Sequence, residues 1–159
     1  MYYRRSGPRA PPPAGKTVSQ ANRLDLKRLV DAGEFTGLIA YRARTPVGWL
    51  SLGPRAGYAK LRRSSVMKPV DDEPVWSIIC FVVPAEYRGH GVARALLDGA
   101  LAFARRRKVK LLEAYPVDKR GRSSDDSLWF GAKSMFDAAG FEEVARRKPA
   151  RPVVRIRPV

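Results

Sequence analysis

Val83-Pro84-Ala85-Glu86-Tyr87-Arg88-Gly89-His90-Gly91-Val92-Ala93-Arg94 joins a β-forming run to an amphipathic helix. Upstream, Trp76 to Val83 is dense in β-branched, aromatic and apolar residues. Downstream, Val92, Leu96, Leu97, Ala100, Leu101 and Ala104 recur at helical spacing. Two glycines at a helix mouth let the backbone turn tightly and approach a ligand closely. The first helical N–H groups have no partner within the helix, and they sit at the positive end of its dipole. Together these features form a phosphate cradle, to which Arg88 and Arg94 add charge. The plainer alternative is a structural turn.

The ligand narrows by exclusion. No G-x-x-x-x-G-K-[ST] is present, so a P-loop nucleotidase is excluded. Gly89-His90-Gly91 supplies the start of a dinucleotide fingerprint, and Glu113 ends a strand about 24 residues later. Its third glycine falls at Arg94, however, and five residues separate Val83 from Gly89 where the fingerprint should follow its strand directly. A Rossmann site is disfavoured.

The chain has 159 residues, one domain's worth. Its 45% hydrophobic content is too high for a wholly disordered chain. Cys80 is the only cysteine and His90 the only histidine, so neither a disulfide framework nor a metal site of His and Cys ligands is expected. The longest apolar run, Ile78 to Val83, is far short of the ~20 residues that span a bilayer. The basic N-terminus runs into Pro11-Pro12-Pro13 where a signal peptide would be apolar. A cytoplasmic domain without a membrane partner is the expectation. The net charge of +16 would attract nucleic acid or phosphorylated ligands. Its basic residues are dispersed, as in Arg62-Arg63, Arg105 to Lys108 and Arg146 to Lys148, and no block reads as a nucleic-acid arm.

Residues 1–19 read as a flexible Pro/Arg-rich arm, followed by a single domain over 20–159. Asn22 is the expected cap of a helix carrying Leu24, Leu26, Leu29 and Val30, stopped by Gly33. Residues 37–43 and 47–52 read as a β-hairpin. Residues 53–74 read as a loop with one helical turn, ending in the acidic Asp71-Asp72-Glu73. Val109 to Tyr115 is a strand and is followed by a polar loop through Asp126. Leu128 to Ala139 reads as a helix stopped by Gly140, and residues 141–145 and 153–156 as closing strands. Strand, loop, helix and strand in that order make a parallel crossover with antiparallel flanks, an α/β fold.

Arg88-x-x-Gly91-x-Ala93 resembles the [QR]-x-x-G-x-[GA] signature of the GNAT N-acetyltransferase superfamily. Met135-Phe136-Asp137-Ala138-Ala139-Gly140-Phe141 resembles the family's second conserved region. The resemblance covers about residues 20–159, and the segments Pro46 to Leu50 and Pro69 to Trp76 are similar to a group of bacterial members with longer N-termini. It implies a mixed, mostly antiparallel sheet with helices on both faces. It also implies acetyl or short-acyl transfer from coenzyme A to a primary amine, by direct attack in a ternary complex. The amides of Gly89, His90, Gly91, Val92, Ala93 and Arg94, with Arg88, would hold the diphosphate. The strand edge at Phe81, Val82 and Val83 would bind the pantetheine arm and present an N–H to the thioester oxygen. Phe136 stands where many relatives place a tyrosine that protonates the leaving thiolate, and it counts among the cofactor-binding residues. Trp129 stands in place of a frequent asparagine. Glu113, on the strand beside the cleft, is the expected base, against the simpler reading that it pairs with an arginine. Tyr115 shares its strand face and is the hypothetical replacement acid.

Two rival functions remain at this level: a coenzyme-A-binding module without catalysis, prompted by Phe136 and Trp129, and a basic nucleic-acid or ribosome-associated protein. The acceptor is open between a small amine and a peptide amine, its pocket shaped by the first helix and the 53–74 and 116–127 loops. The C-terminal strand could pair across a homodimer. The family opens with a strand and one or two helices before the hairpin, so the native start is expected upstream, or this copy is shortened.

Overall fold

The computed structural model describes Arg4, residues 11–118 and residues 129–158. The first helix, α1 (Val18–Asp31), is opened by Thr17. The Gln20 N–H donates to Thr17 Oγ1 at 3.2 Å, and the Thr17 N–H donates to Gln20 Oε1 at 2.8 Å. This reciprocal pair satisfies two otherwise free amides. Asn22, the expected cap, therefore lies inside the helix.

The hairpin forms as expected from β1 (Gly37–Arg42) and β2 (Thr45–Pro54), which pair antiparallel with Ile39 opposite Trp49. A single 3-10 turn, Arg55–Gly57, is the helical turn in the loop that follows. Then come β3 (Trp76–Val82), α2 (Val92–Arg106), β4 (Leu112–Ala114), α3 (Lys133–Asp137), β5 (Glu142–Lys148) and β6 (Arg151–Ile156). The six strands make one sheet in the order β1-β2-β3-β4-β6-β5. Only β3 and β4 are parallel, joined by the α2 crossover. The C-terminal strand β6 lies between β4 and β5, with Val153 and Val154 buried, so it is not the edge on which a homodimer could pair.

Each face of the sheet has its own apolar cluster. On one, Leu96, Leu97, Ala100, Leu101 and Ala104 of α2 pack with Leu50, Phe81, Leu112 and Phe136. On the other, Tyr58, Leu61 and Met67 from the 53–74 segment cover Ile79, Tyr115 and Val153. Each large apolar side chain so buried stabilises the fold by about 1.5–3 kcal/mol relative to exposure. A bulge sorts β3 between these clusters. Ser51 pairs with Cys80 and Leu52 with Ile78, leaving Ile79 extra. The phase of the strand shifts there, so Ile78 and Phe81 meet α2 while Ile79 and Cys80 turn to the second cluster.

Two elements are shorter than their sequence suggests. The β4 strand is cut at its start because the Val109 N–H closes the end of α2 on the Ala104 carbonyl at 2.9 Å. The α3 helix starts only at Lys133, since Gly131 is left-handed (φ 78) and residues 131–133 are tied to Val117. The Val117 N–H donates to Gly131 O and the Lys133 N–H to Val117 O, each at 2.9 Å. Leu128, the expected first residue of that helix, and residues 119–126 of the polar loop lie outside the described residues.

Candidate functional site

The β3–β4 ladder has three residue pairs, Trp76 to Ile78 against Leu112 to Ala114. Past Ile78 the strands separate, and a cleft of about 410 Å³ opens at the N-terminus of α2. Phe81, Val82 and Val83 form one wall; Arg88, Gly89 and Gly91 to Arg94 form the mouth; Tyr87 and Trp129 complete the lining.

The mouth is shaped by its glycines. Gly89 and Gly91 both have left-handed backbones, φ 74 and 78, which strain any residue with a Cβ. Around each the space is open to 4 Å, so conformation rather than crowding is what requires glycine here. Gly91 is the N-cap of α2 and no side chain caps this end. The amides of the first turn are left to whatever enters the cleft. Arg88 braces the loop, its Nε donating to the Val83 carbonyl at 3.1 Å. His90 Nδ1 lies 2.7 Å from the Arg88 carbonyl. Because a carbonyl only accepts, this nitrogen carries the proton. The His90 ring borders a separate depression between the hairpin and α2, not the cleft. Arg94 is shared with Asp98, Nε to Oδ1 at 3.3 Å.

The strand wall divides by alternation. The Phe81 N–H points out of the sheet toward the gap, where it donates to the Trp129 carbonyl at 2.7 Å. Successive residues of an antiparallel pair alternate in direction. The Val82 main chain therefore turns back to β2, its carbonyl close to Gly48, and Val82 meets the cleft through its side chain. Phe136 is fully buried in the core, edge-on to Phe81 (6.2 Å between centroids) and Phe141 (5.1 Å). It supports the Phe81 wall from behind and does not reach the cleft.

Glu113 and Tyr115 share a strand face, as their spacing requires, but both are fully buried and neither lines the cleft. The Glu113 carboxylate receives Arg55 on Oε1 and Arg155 on Oε2, the latter at 2.8 Å. Tyr115 donates its hydroxyl to the same carboxylate and accepts from Arg55 Nη1 at 2.9 Å, with Ser77 Oγ at 3.1 Å. Burial, reinforced by the neighbouring Glu113 charge, drives the Tyr115 hydroxyl far above its ordinary value. Asp71 extends the chain of charges by gripping Arg155, and Glu73 pairs with Arg157 at 3.1 Å. The acidic run at 71–73 thus borders a different depression, beside Arg107 and Lys108. Burial also raises the Cys80 thiol, which disfavours the nucleophilic thiolate.

Trp129 and Tyr87 are lining residues that sequence reasoning did not assign to the site. The signal for Trp129 was its standing where relatives often place an asparagine; Tyr87 lies in the signature loop itself. Among the described residues no cluster of His, Cys, Asp or Glu could hold a metal, and no helix is long and apolar enough to cross a membrane.

Residues 5–123 match the acetyltransferase (GNAT) family. No curated protein matches the chain. Among solved structures, a GNAT-family protein of Desulfovibrio desulfuricans is 18% identical, covering 91% of this chain and 84% of its own, with a TM-score of 0.56. The ribosomal-protein-alanine N-acetyltransferase of Brucella melitensis is 20% identical over 89% and 79%, with a TM-score of 0.55. The PaiA N-acetyltransferase of Thermoplasma acidophilum, solved with coenzyme A, is 11% identical over 91% and 79%, with a TM-score of 0.52. At these identities the likeness establishes the fold. With the family match spanning most of the sequence, and the signature seated at the mouth of the cleft, this chain belongs to the GNAT family of acyl-CoA N-acyltransferases.

Proposed function

We propose that this protein transfers an acetyl or other short acyl group from coenzyme A to a primary amine within a ternary complex. The observation that carries the reading is the uncapped N-terminus of α2 at the mouth of a cleft that opens where β3 and β4 part. A diphosphate fits that mouth, because main-chain amides and a helix dipole favour concentrated negative charge without adding an ionisable group. Arg88 and Arg94 line the mouth and add cationic charge.

Acetyl-coenzyme A would supply an acyl thioester, whose C–S bond breaks as the amine's C–N bond forms and the departing thiolate takes up a proton. The Val83 edge is free of β4 and runs alongside the cleft, so it would align the pantetheine arm as an added strand. The Phe81 N–H already donates into the gap, to the Trp129 carbonyl. Exchanging that acceptor for another carbonyl oxygen conserves the bond count, and the donor would then stand where negative charge develops. An amine with a pKa of about 10 must lose a proton before attack. None of the described lining residues carries a carboxylate or an imidazole, so we assign proton removal to water at the open side of the cleft. Catalysis would then rest chiefly on holding two substrates in line.

Titration calorimetry with acetyl-coenzyme A and thiol release across an amine panel test the proposal together. Binding plus release in the presence of an amine is the expected result. Binding without release from any amine would leave a coenzyme-A-binding module.

A further inference from the structure

Directly opposed residues on neighbouring strands share a face. The register sets Leu38, Leu50 and Phe81 in one row and Ile39, Trp49 and Val82 in the next. The first row packs with α2 in the core, so the second faces the other way. On that face the cover formed by Tyr58, Leu61 and Met67 reaches Ile79 and Cys80. Beyond it, Ile39 and Val82 remain 54% and 49% exposed. The strip is flat for a local reason: Nε1 of Trp49 lies 2.9 Å from where a Cβ on residue 37 would stand, so the indole edge rests against the Gly37 backbone. Three strands spaced about 4.8 Å apart make an apolar strip about 10 Å long.

This strip is continuous with the cleft, because Val82 both ends the row and lines the cavity. The helix whose amides would hold the diphosphate covers the opposite face. A chain that enters from that side and runs through the β3–β4 gap emerges beside Val82, where the acceptor must meet it. Charge then selects among acceptors. The strip row is uncharged, so a polyamine laid along it would press an internal ammonium group onto apolar surface without a partner. Asp71 and Glu73 of the acidic run are engaged by Arg155 and Arg157, and all three of its acids border the other depression rather than the cleft.

We infer, on the reading of the cleft given above, that the acceptor is a singly charged alkyl- or arylalkylamine whose apolar body lies on the Ile39–Trp49–Val82 strip, and that polyamines are rejected. Binding is separable from turnover, so calorimetry on coenzyme-A-saturated protein tests the inference with 2-phenylethylamine and spermidine as probes. Phenylethylamine should bind at least about tenfold more tightly than spermidine, the scale of discrimination an apolar contact supplies. Trp49→Ala should weaken it about tenfold, with coenzyme A affinity unchanged. Because Trp49 is half-buried, Ile39→Lys at an exposed position provides a second variant, expected to act in the same direction, and Ile39→Leu should restore binding. Spermidine binding as well as phenylethylamine, or Ile39→Lys leaving phenylethylamine affinity untouched, would overturn the assignment. Absent thiol release with amine binding intact would instead count against the catalytic reading.

Discussion

At Trp76–Ile78 strand β3 holds β4 in a three-pair ladder, and the face behind is closed by a carboxylate between two guanidiniums. A few residues on, at Phe81–Val83, the same strand has lost its neighbour and borders a cleft. The closed end is rich in ionisable side chains, and Glu113, Tyr115, Asp71, Arg55 and Arg155 are bound to one another. The open end is built from backbone amides, glycines and apolar side chains, with Arg88 and Arg94 at its mouth. In this chain, charged side chains secure the scaffold, and the candidate chemistry rests on main-chain geometry. The difference argues against choosing catalytic residues by their ionisable type alone.

The sharpest way to break the comparison is at Glu113. Glu113→Ala strands Arg55 and Arg155 in the interior, and breaking a buried pair by removing one partner costs about 3–5 kcal/mol. For a chain of this size, thermal melting should fall by roughly 10 °C. A variant with native melting and no thiol release would reinstate Glu113 as the base and erase the contrast between the two ends.

The open end should respond in the opposite manner. Gly91→Val forces a β-branched residue to φ 78 and turns the amides of the cradle. Acetyl-coenzyme A affinity should fall about 100-fold while melting shifts by only a few degrees, since an αL penalty is about 1–2 kcal/mol. Unchanged affinity by calorimetry would remove the cradle from the site.

The two ends also differ in how far they could be read from sequence. The open end is local: strand, loop, glycine pair and helix follow one another within about thirty residues, so periodicity and the signature locate it. Even there, the Ile79 bulge and the left-handed Gly131 escaped, because each depends on what the neighbouring strand or Val117 provides. The closed end is assembled from a distance. Glu113 meets Arg55 from 58 residues away and Arg155 from 42, and Asp71 meets Arg155 across 84. In a chain with 31 basic residues, no pattern says which two arginines will be buried against one glutamate. Spacing alone could put Glu113 and Tyr115 on one face, but not decide whether that face was covered.

Tyr115 refines the contrast at a smaller scale. Tyr115→Phe removes a buried hydroxyl that serves Glu113, Arg55 and Ser77, a loss of about 1–2 kcal/mol. Activity per folded molecule should stay within about twofold, since the hydroxyl does not line the cleft. Its pKa lies above the unfolded value of 10, so wild-type stability attributable to this group is complete below pH 10 and is lost as the pH rises beyond it. The phenylalanine variant should lack that alkaline component in melting curves. A large fall in kcat with melting unchanged would return Tyr115 to the reaction.

The smallest effect belongs to Asp71, where the closed end meets solvent. The Arg155 guanidinium hydrogen-bonds its carboxylate and holds it below the ordinary value of 3.8. The sign is the reverse of the tyrosine's: a depressed carboxylate contributes stability that is present above the unfolded pKa and disappears as pH falls through the folded one. The side chain is 43% exposed, so solvent screens the pair and the contribution is about 0.5–1 kcal/mol. Asp71→Asn should therefore lower melting slightly at neutral pH, and the difference from wild type should shrink as the pH falls below 3.8 and through the depressed folded value. Acetyl-coenzyme A affinity should not move, because Asp71 borders a separate depression. A change in cofactor affinity in this variant would mean that the two ends of the β3–β4 seam are coupled, and that the charged scaffold sets the width of the cleft as well as the stability of the sheet.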